Sequence, residues 1–119
     1  MLTMIMVSDM DRSVRFYRDV LGLKLKFQSP EWTEFDVDST TLALHGGGKP
    51  QPAPAREQFA GTASIGFNVA NLDSTCEDLK RKSAHMVIPP TEREGEGIRL
   101  AVFLDPDGLA VSFSQNVGR

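Results

Sequence analysis

Cysteine is nearly absent from this 119-residue chain, with Cys76 standing alone. One cysteine excludes an internal disulfide framework and makes a reducing, cytoplasmic setting the expectation. Histidine is almost as scarce: His45 and His85 are the two, far apart, so neither belongs to a closely spaced metal motif. No Lys/Arg-rich block occurs and the formal net charge is −3, which argues against a nucleic-acid partner. No apolar run approaches the ~18 residues of a membrane span, so no membrane association is expected. Asp9, Asp11 and Arg12 follow the first apolar stretch at once, against a secretory leader.

What the chain does contain is a pattern stated twice. Val7-Ser8-Asp9-Met10-Asp11-Arg12-Ser13 follows a β-like run and opens a helix-like segment. Val69-Ala70-Asn71-Leu72-Asp73-Ser74-Thr75 does the same in the second half. The run from Asp38 to Leu44 is echoed by the run from Asp107 to Phe113. Two similar halves tend to enclose a pocket between related sheets, and function is expected there.

Residues 2–8 read as a short strand, apolar enough for burial on both faces. Asp9 is a plausible N-cap and Asp11 suits the first helical turn. Met10, Val14, Tyr17 and Leu21 then mark one helical face, and Gly22 stops it. Leu23, Leu25 and Phe27 alternate with Lys24, Lys26 and Gln28, as in a half-exposed strand. Strands over 32–37 and 40–45 complete the first half. Residues 46–61 hold three consecutive glycines and three prolines and read as an exposed linker. A strand over 63–69 leads to a helix capped by Asn71 or Asp73, with Leu72, Cys76, Leu79 and Ser83 inward and His85 at its C-terminal end. A short strand at 86–88 is ended by Pro89-Pro90. The charged run 91–97 reads as a solvated loop, with a glycine-hinged lid as the alternative. Strands at 98–104 and 109–114 flank Asp105-Pro106-Asp107-Gly108, a strong turn signal. The fold class is therefore α+β: one domain of two β-α-β-β-β modules, residues 1–45 and 62–119, joined by the linker 46–61.

This double pattern resembles the vicinal oxygen chelate superfamily, which includes glyoxalase I, extradiol dioxygenases, fosfomycin-resistance enzymes and bleomycin-resistance proteins. Asp9-Met10-Asp11-Arg12-Ser13, the run from Phe16 to Leu23, and the run from Phe103 to Gly108 carry the resemblance. It implies two cupped sheets, a homodimer, and a divalent metal held from strands one, four, five and eight. Distances from these motifs place the four ligand positions on Leu2, Ala43, Ser64 and Ser112. Leu and Ala side chains cannot ligate, and serine hydroxyls are poor ligands beside His, Asp and Glu. The expectation is a protein with no metal and no cofactor.

Several residues remain for ligand binding. His45 lies two positions after Ala43 and so shares its strand face. Ser64 and Ser112 occupy related strand positions and can offer hydroxyls to a ligand. Trp32 opens a strand after Pro30 and suits a stacking platform. Phe103, in phase with Ala101 and Arg99, is expected to face the ligand, whereas Phe67 and Phe113 are out of phase with Ser64 and Ser112 and stay open between core and cavity. Cys76, on the apolar helix face, reads as a buried structural thiol. The leading expectation is a binder of an aromatic or drug-like small molecule, with no catalytic residue assigned. The alternative is a glyoxalase-like or dioxygenase-like enzyme whose displaced metal would need His45 with Glu34 or Glu94.

Overall fold

The computed structural model describes residues 2–50, 60 and 63–117. The chain divides into two compact units, Met1–Pro52 and Ala53–Arg119. Of the expected linker, residues 51–59 and 61 lie outside the described residues, as does residue 62 at the start of the second module. Its beginning is tied to the first unit: Gly46 donates to Glu31 O at 3.0 Å and Gly48 to Val7 O at 2.9 Å. A Cβ on Gly48 would stand 2.9 Å from the Met6 Cβ, so this close approach requires glycine. No helix among the described residues is long and apolar enough to cross a membrane.

The first unit runs β1 (Leu2–Met6), α1 (Met10–Arg15), a π-helical turn (Phe16–Val20), β2 (Lys24–Gln28), β3 (Trp32–Val37) and β4 (Thr40–His45). Its sheet has the order β1-β4-β3-β2, with β1 parallel to β4 and the other pairs antiparallel. Asp9 caps α1 by accepting from Arg12 N at 3.1 Å. The π turn was not visible in the spacing. It closes with Leu21 N donating to Phe16 O at 3.0 Å. The wider turn sends two consecutive aromatics inward: Phe16 and Tyr17 are both buried and meet edge-on at 5.1 Å. Tyr17 then reaches Phe35, centroid to centroid 6.2 Å, which fixes the face of the sheet that the helical segment covers. Burial of Val14, Tyr17, Phe35, Leu42 and Leu44 forms this unit's core. Each such side chain contributes about 1.5–3 kcal/mol.

The second unit repeats the plan: β5 (Ile65–Asn68), α2 (Leu72–Arg81), β6 (His85–Arg93), β7 (Ile98–Leu104) and β8 (Ala110–Asn116), ordered β5-β8-β7-β6. The α+β reading and the two β-α-β-β-β modules therefore stand. Asn71 is the α2 cap, accepting from Ser74 N at 3.0 Å. Leu72, Cys76 and Leu79 are buried, but Ser83 lies beyond the helix end, exposed, with φ +64°. It occupies the left-handed position that glycine usually fills. His85 is not at a helix C-terminus; it begins β6 opposite Leu104.

Pro89-Pro90 does not end β6, which continues to Arg93. The strand is at the sheet edge, where a missing N–H breaks no ladder on the outer side. Register shifts between Met86 and Ile88 and between Ile88 and Thr91 absorb the irregularity. The expected loop 91–97 shrinks to a turn over 94–97, with Gly95 and Gly97 at positive φ and Arg93 paired to Glu96 at 3.2 Å.

The Asp105-Pro106-Asp107-Gly108 turn is held by one buried carboxylate. Asp105 Oδ1 accepts from Asp107 N at 2.9 Å and from Leu109 N at 2.8 Å. Replacing Asp105 by Ala leaves both amides without that acceptor. The expected result in urea unfolding is a loss of about 2 kcal/mol, with Asp105→Asn recovering most of it.

Candidate functional site on the open face of the first unit

One helical segment covers one face of each four-stranded sheet, so each sheet has a second face to offer. In the first unit the register identifies it. Tyr17 against Phe35, and Gln28 Nε2 donating to Asp11 at 3.3 Å, put Phe35, Thr33, Leu42 and Leu44 under the helix. The opposite face carries three rows of paired residues. Met6, His45 and Trp32 form the first. Met4, Ala43, Glu34 and Phe27 form the second, and Leu2, Thr41, Asp36 and Lys24 the third.

Leu2, Met4 and Met6 are each nearly half exposed, at 48%, 46% and 48%. The expectation that β1 is buried on both faces is thus corrected: its even-numbered positions form an accessible apolar wall. Ala43 sits at 0% exposure, a small floor between them and β3. Phe27 also departs from simple alternation. A register shift between Leu25 and Phe27 pairs it with Glu34, so Phe27 joins the open face rather than the core.

The polar groups of this face are already ordered. Trp32 Nε1 donates to Glu34 Oε2 at 2.7 Å, and the Trp32 and His45 rings meet edge-on at 6.0 Å. Lys26 Nζ lies 3.5 Å from Glu34 and 3.6 Å from Asp36 and donates to Thr41 at 3.2 Å. His45 Nδ1 stands 2.6 Å from Gly46 O; a carbonyl only accepts, so Nδ1 carries a proton, and in the neutral imidazole the lone pair is on Nε2. The result is a half-buried aromatic corner beside a thioether and hydrocarbon wall, with one ammonium between two carboxylates at the far side.

In the second unit, Arg99 pairs with Asp73 at 3.1 Å and Leu72 N donates to Gln115 at 2.7 Å. These contacts assign Arg99, Ala101, Phe103, Phe113 and Phe67 to the helix side. Phe103 is therefore not a ligand-facing residue. It is fully buried, edge-on to Phe113 at 5.8 Å, because its phase along β7 matches Arg99 under α2. Ser112 lies on the opposite face between Gly66 and Val102 and donates to Ile65 O at 3.4 Å. A Cβ on Gly66 would come 2.8 Å from the Ser112 Oγ, so glycine makes room for this hydroxyl. Ser64 precedes β5 and is exposed.

Of the predicted residues, Trp32 and His45 are brought together; Ser64 and Ser112 belong to the second unit. Sequence reasoning passed over Met4 and Met6, although their i, i+2 spacing with Leu2 was the available signal.

With this geometry in place, family comparison is decisive for the fold. The chain belongs to the Glyoxalase/Bleomycin resistance protein/Dioxygenase superfamily, whose profile matches residues 2–113. It is similar to the lactoylglutathione lyase of Haemophilus influenzae, 28% identical over 122 residues that cover 96% of this chain and 90% of that protein. A probable lactoylglutathione lyase of Vibrio parahaemolyticus is 30% identical over 125 residues, covering 96% and 88%. A glyoxalase/dioxygenase structure from Nostoc punctiforme superposes with a TM-score of 0.81 over 97% of this chain and 88% of that one; at 20% identity it speaks for the fold.

The divalent metal implied by the superfamily does not fit the residues present. Leu2 and Ala43 bring no donor atom to the open face, and Ser112 Oγ is turned to a backbone carbonyl. Glu34 is engaged by Trp32 and Lys26. Among the described residues, no group of three or more His, Cys, Asp or Glu is placed to hold a metal ion.

Cys76 is buried on the inner face of α2, and burial pushes its thiol pKa up, with Lys80 opposing and Asp73 reinforcing the shift. At pH 8 the native protein should react slowly with a thiol-specific disulfide reagent and rapidly once unfolded in urea. Fast native labelling would place Cys76 in an accessible environment instead.

Proposed function

We propose that this protein binds a small aromatic or drug-like molecule without a divalent metal and acts by sequestering it. The observation that carries the reading is the chemistry at the four superfamily ligand positions: Leu2, Ala43, Ser64 and Ser112. The open face of the first unit supplies what such a ligand needs. Trp32 offers an aromatic ring whose N–H is already satisfied by Glu34, so a planar ligand can contact it without stranding a donor. Leu2, Met4 and Met6 offer adaptable apolar surface, and methionine in particular reshapes itself to irregular ligands. The ordered Lys26, Glu34, Asp36 and Thr41 cluster supplies a few oriented polar groups, the composition typical of small-molecule sites.

A metal-dependent lyase is the second reading, favoured by the names of the Haemophilus and Vibrio relatives. Elemental analysis after separate dialysis against nickel, zinc, manganese and ferrous iron separates the two. The expected result is no tightly retained ion. About one retained divalent ion per chain would overturn the proposal and direct work to lyase assays. In a fluorescence titration with a panel of planar drugs and metabolites, the single tryptophan reports directly on its own site. Measured by calorimetry, since the variant has no tryptophan to report, Trp32→Ala should weaken a bound compound by about tenfold, the equivalent of ~1.4 kcal/mol of aromatic contact.

A further inference from the structure

The Met6–His45–Trp32 corner has a chemistry that sequestration of an organic ligand does not use. We infer that Met4, Met6 and His45 form a site for a soft monovalent cation, Cu(I) or Ag(I), flanked by the Trp32 ring. The inference goes beyond the small-molecule reading and does not rest on it.

The donor set is built by register. Met4 and Met6 sit two apart on β1 and point to one face. Met6 is the direct partner of His45 on the parallel neighbour β4, and Met4 is the partner of Ala43. Strands pair at about 4.8 Å, and alternate residues on one strand are about 6.6 Å apart. Two flexible thioethers and one imidazole thus start within side-chain reach of a common point.

The chemistry selects the ion. Thioether sulfur and imidazole nitrogen are the soft and borderline donors that favour Cu(I), whereas magnesium, calcium and manganese favour oxygen. Both thioethers are nearly half exposed, so neither is used up in core packing. His45 resembles a ligating histidine in one respect: Nδ1 lies 2.6 Å from a backbone carbonyl, which holds the ring and leaves Nε2 as the nitrogen that can ligate. Trp32 stands next to that ring, anchored through its own N–H to Glu34. A cation within about 6 Å of an indole centroid is attracted by the ring quadrupole. No Lys or Arg stands in the Met6–His45–Trp32 row, and Lys26 is engaged with Glu34 and Asp36. The competing soft ligand, Cys76, is in the other unit and buried.

The test titrates the intact protein with Cu(I) under anaerobic conditions against a chromophoric Cu(I) chelator, and with Ag(I) in chloride-free buffer as the redox-inert counterpart. Methionine methyl groups are labelled with carbon-13 so that each thioether is followed by NMR. Expected are about one ion per chain, a change in Trp32 emission, and shifts of the Met4 and Met6 methyls with Met10 and Met86 unmoved. The double variant Met4→Leu, Met6→Leu keeps side-chain volume and should lose at least about tenfold in affinity. Met6→Leu alone, at an exposed position, serves if the double variant does not fold. Cys76→Ala and Met86→Leu should bind as the parent does. The proposal is overturned if the parent fails to compete with the chelator, if the thioether variants bind unchanged, or if Cys76→Ala abolishes binding.

Discussion

A helical segment can cover one face of a four-stranded sheet and no more, and both units of this protein are organised around that limit. Each β-α-β-β-β module places its large apolar residues on the covered face. In the first unit these are Tyr17, Phe35, Leu42 and Leu44; in the second they are Leu72, Phe103, Val111 and Phe113. Because side chains alternate along a strand, filling the covered face determines which residues stand on the other. The site chemistry is thus what remains once the core has been satisfied. Parallel pairing of β1 with β4 is the step that matters most, since a slip of one residue would turn Leu2, Met4 and Met6 under the helix and bring Thr3 and Ile5 out.

Much of this was legible in the chain. Local signals with a single physical cause read correctly: the Asp9 cap, the strand 98–104, and the Asp-Pro-Asp-Gly turn, with the second cap settling on Asn71 of the two candidates. Each depends on residues within one turn or one strand. The misses share a different origin. The π turn at Phe16–Val20 exists because two adjacent aromatics both have room against the sheet, a fact of tertiary packing. Phe27 reaches the open face through a bulge that no periodicity announces. Phe103 is buried rather than ligand-facing as expected, because alternation gives phase but not which phase the helix covers. Arg99 bonded to Asp73 supplies that missing sign.

The superfamily scaffold is retained here with Leu2, Ala43, Ser64 and Ser112 at the positions expected to hold its metal. The fold is specified by caps, turns and apolar alternation, none of which involves the ligand positions. Those positions sit on the open faces, where substitution changes the site without disturbing the core. Leu2 and Ala43 illustrate the point in one sheet, and Ser112 in the other, its hydroxyl accommodated by Gly66. Fold and reaction are separable because different faces of the same strands carry them.

The prolines of β6 have a meaning for the molecule among its neighbours. A sheet edge with an unbroken row of amides is a template on which foreign strands can add, one chain after another. Pro89 and Pro90 remove two adjacent donors from the outermost strand of the second unit, and the flanking register shifts roughen what is left. Val87 and Ile88, both exposed on that strand, would otherwise make it an adhesive border. The proline pair that fails to terminate the strand instead blunts it, making the edge a poorer template for the strand-by-strand growth that builds fibrils.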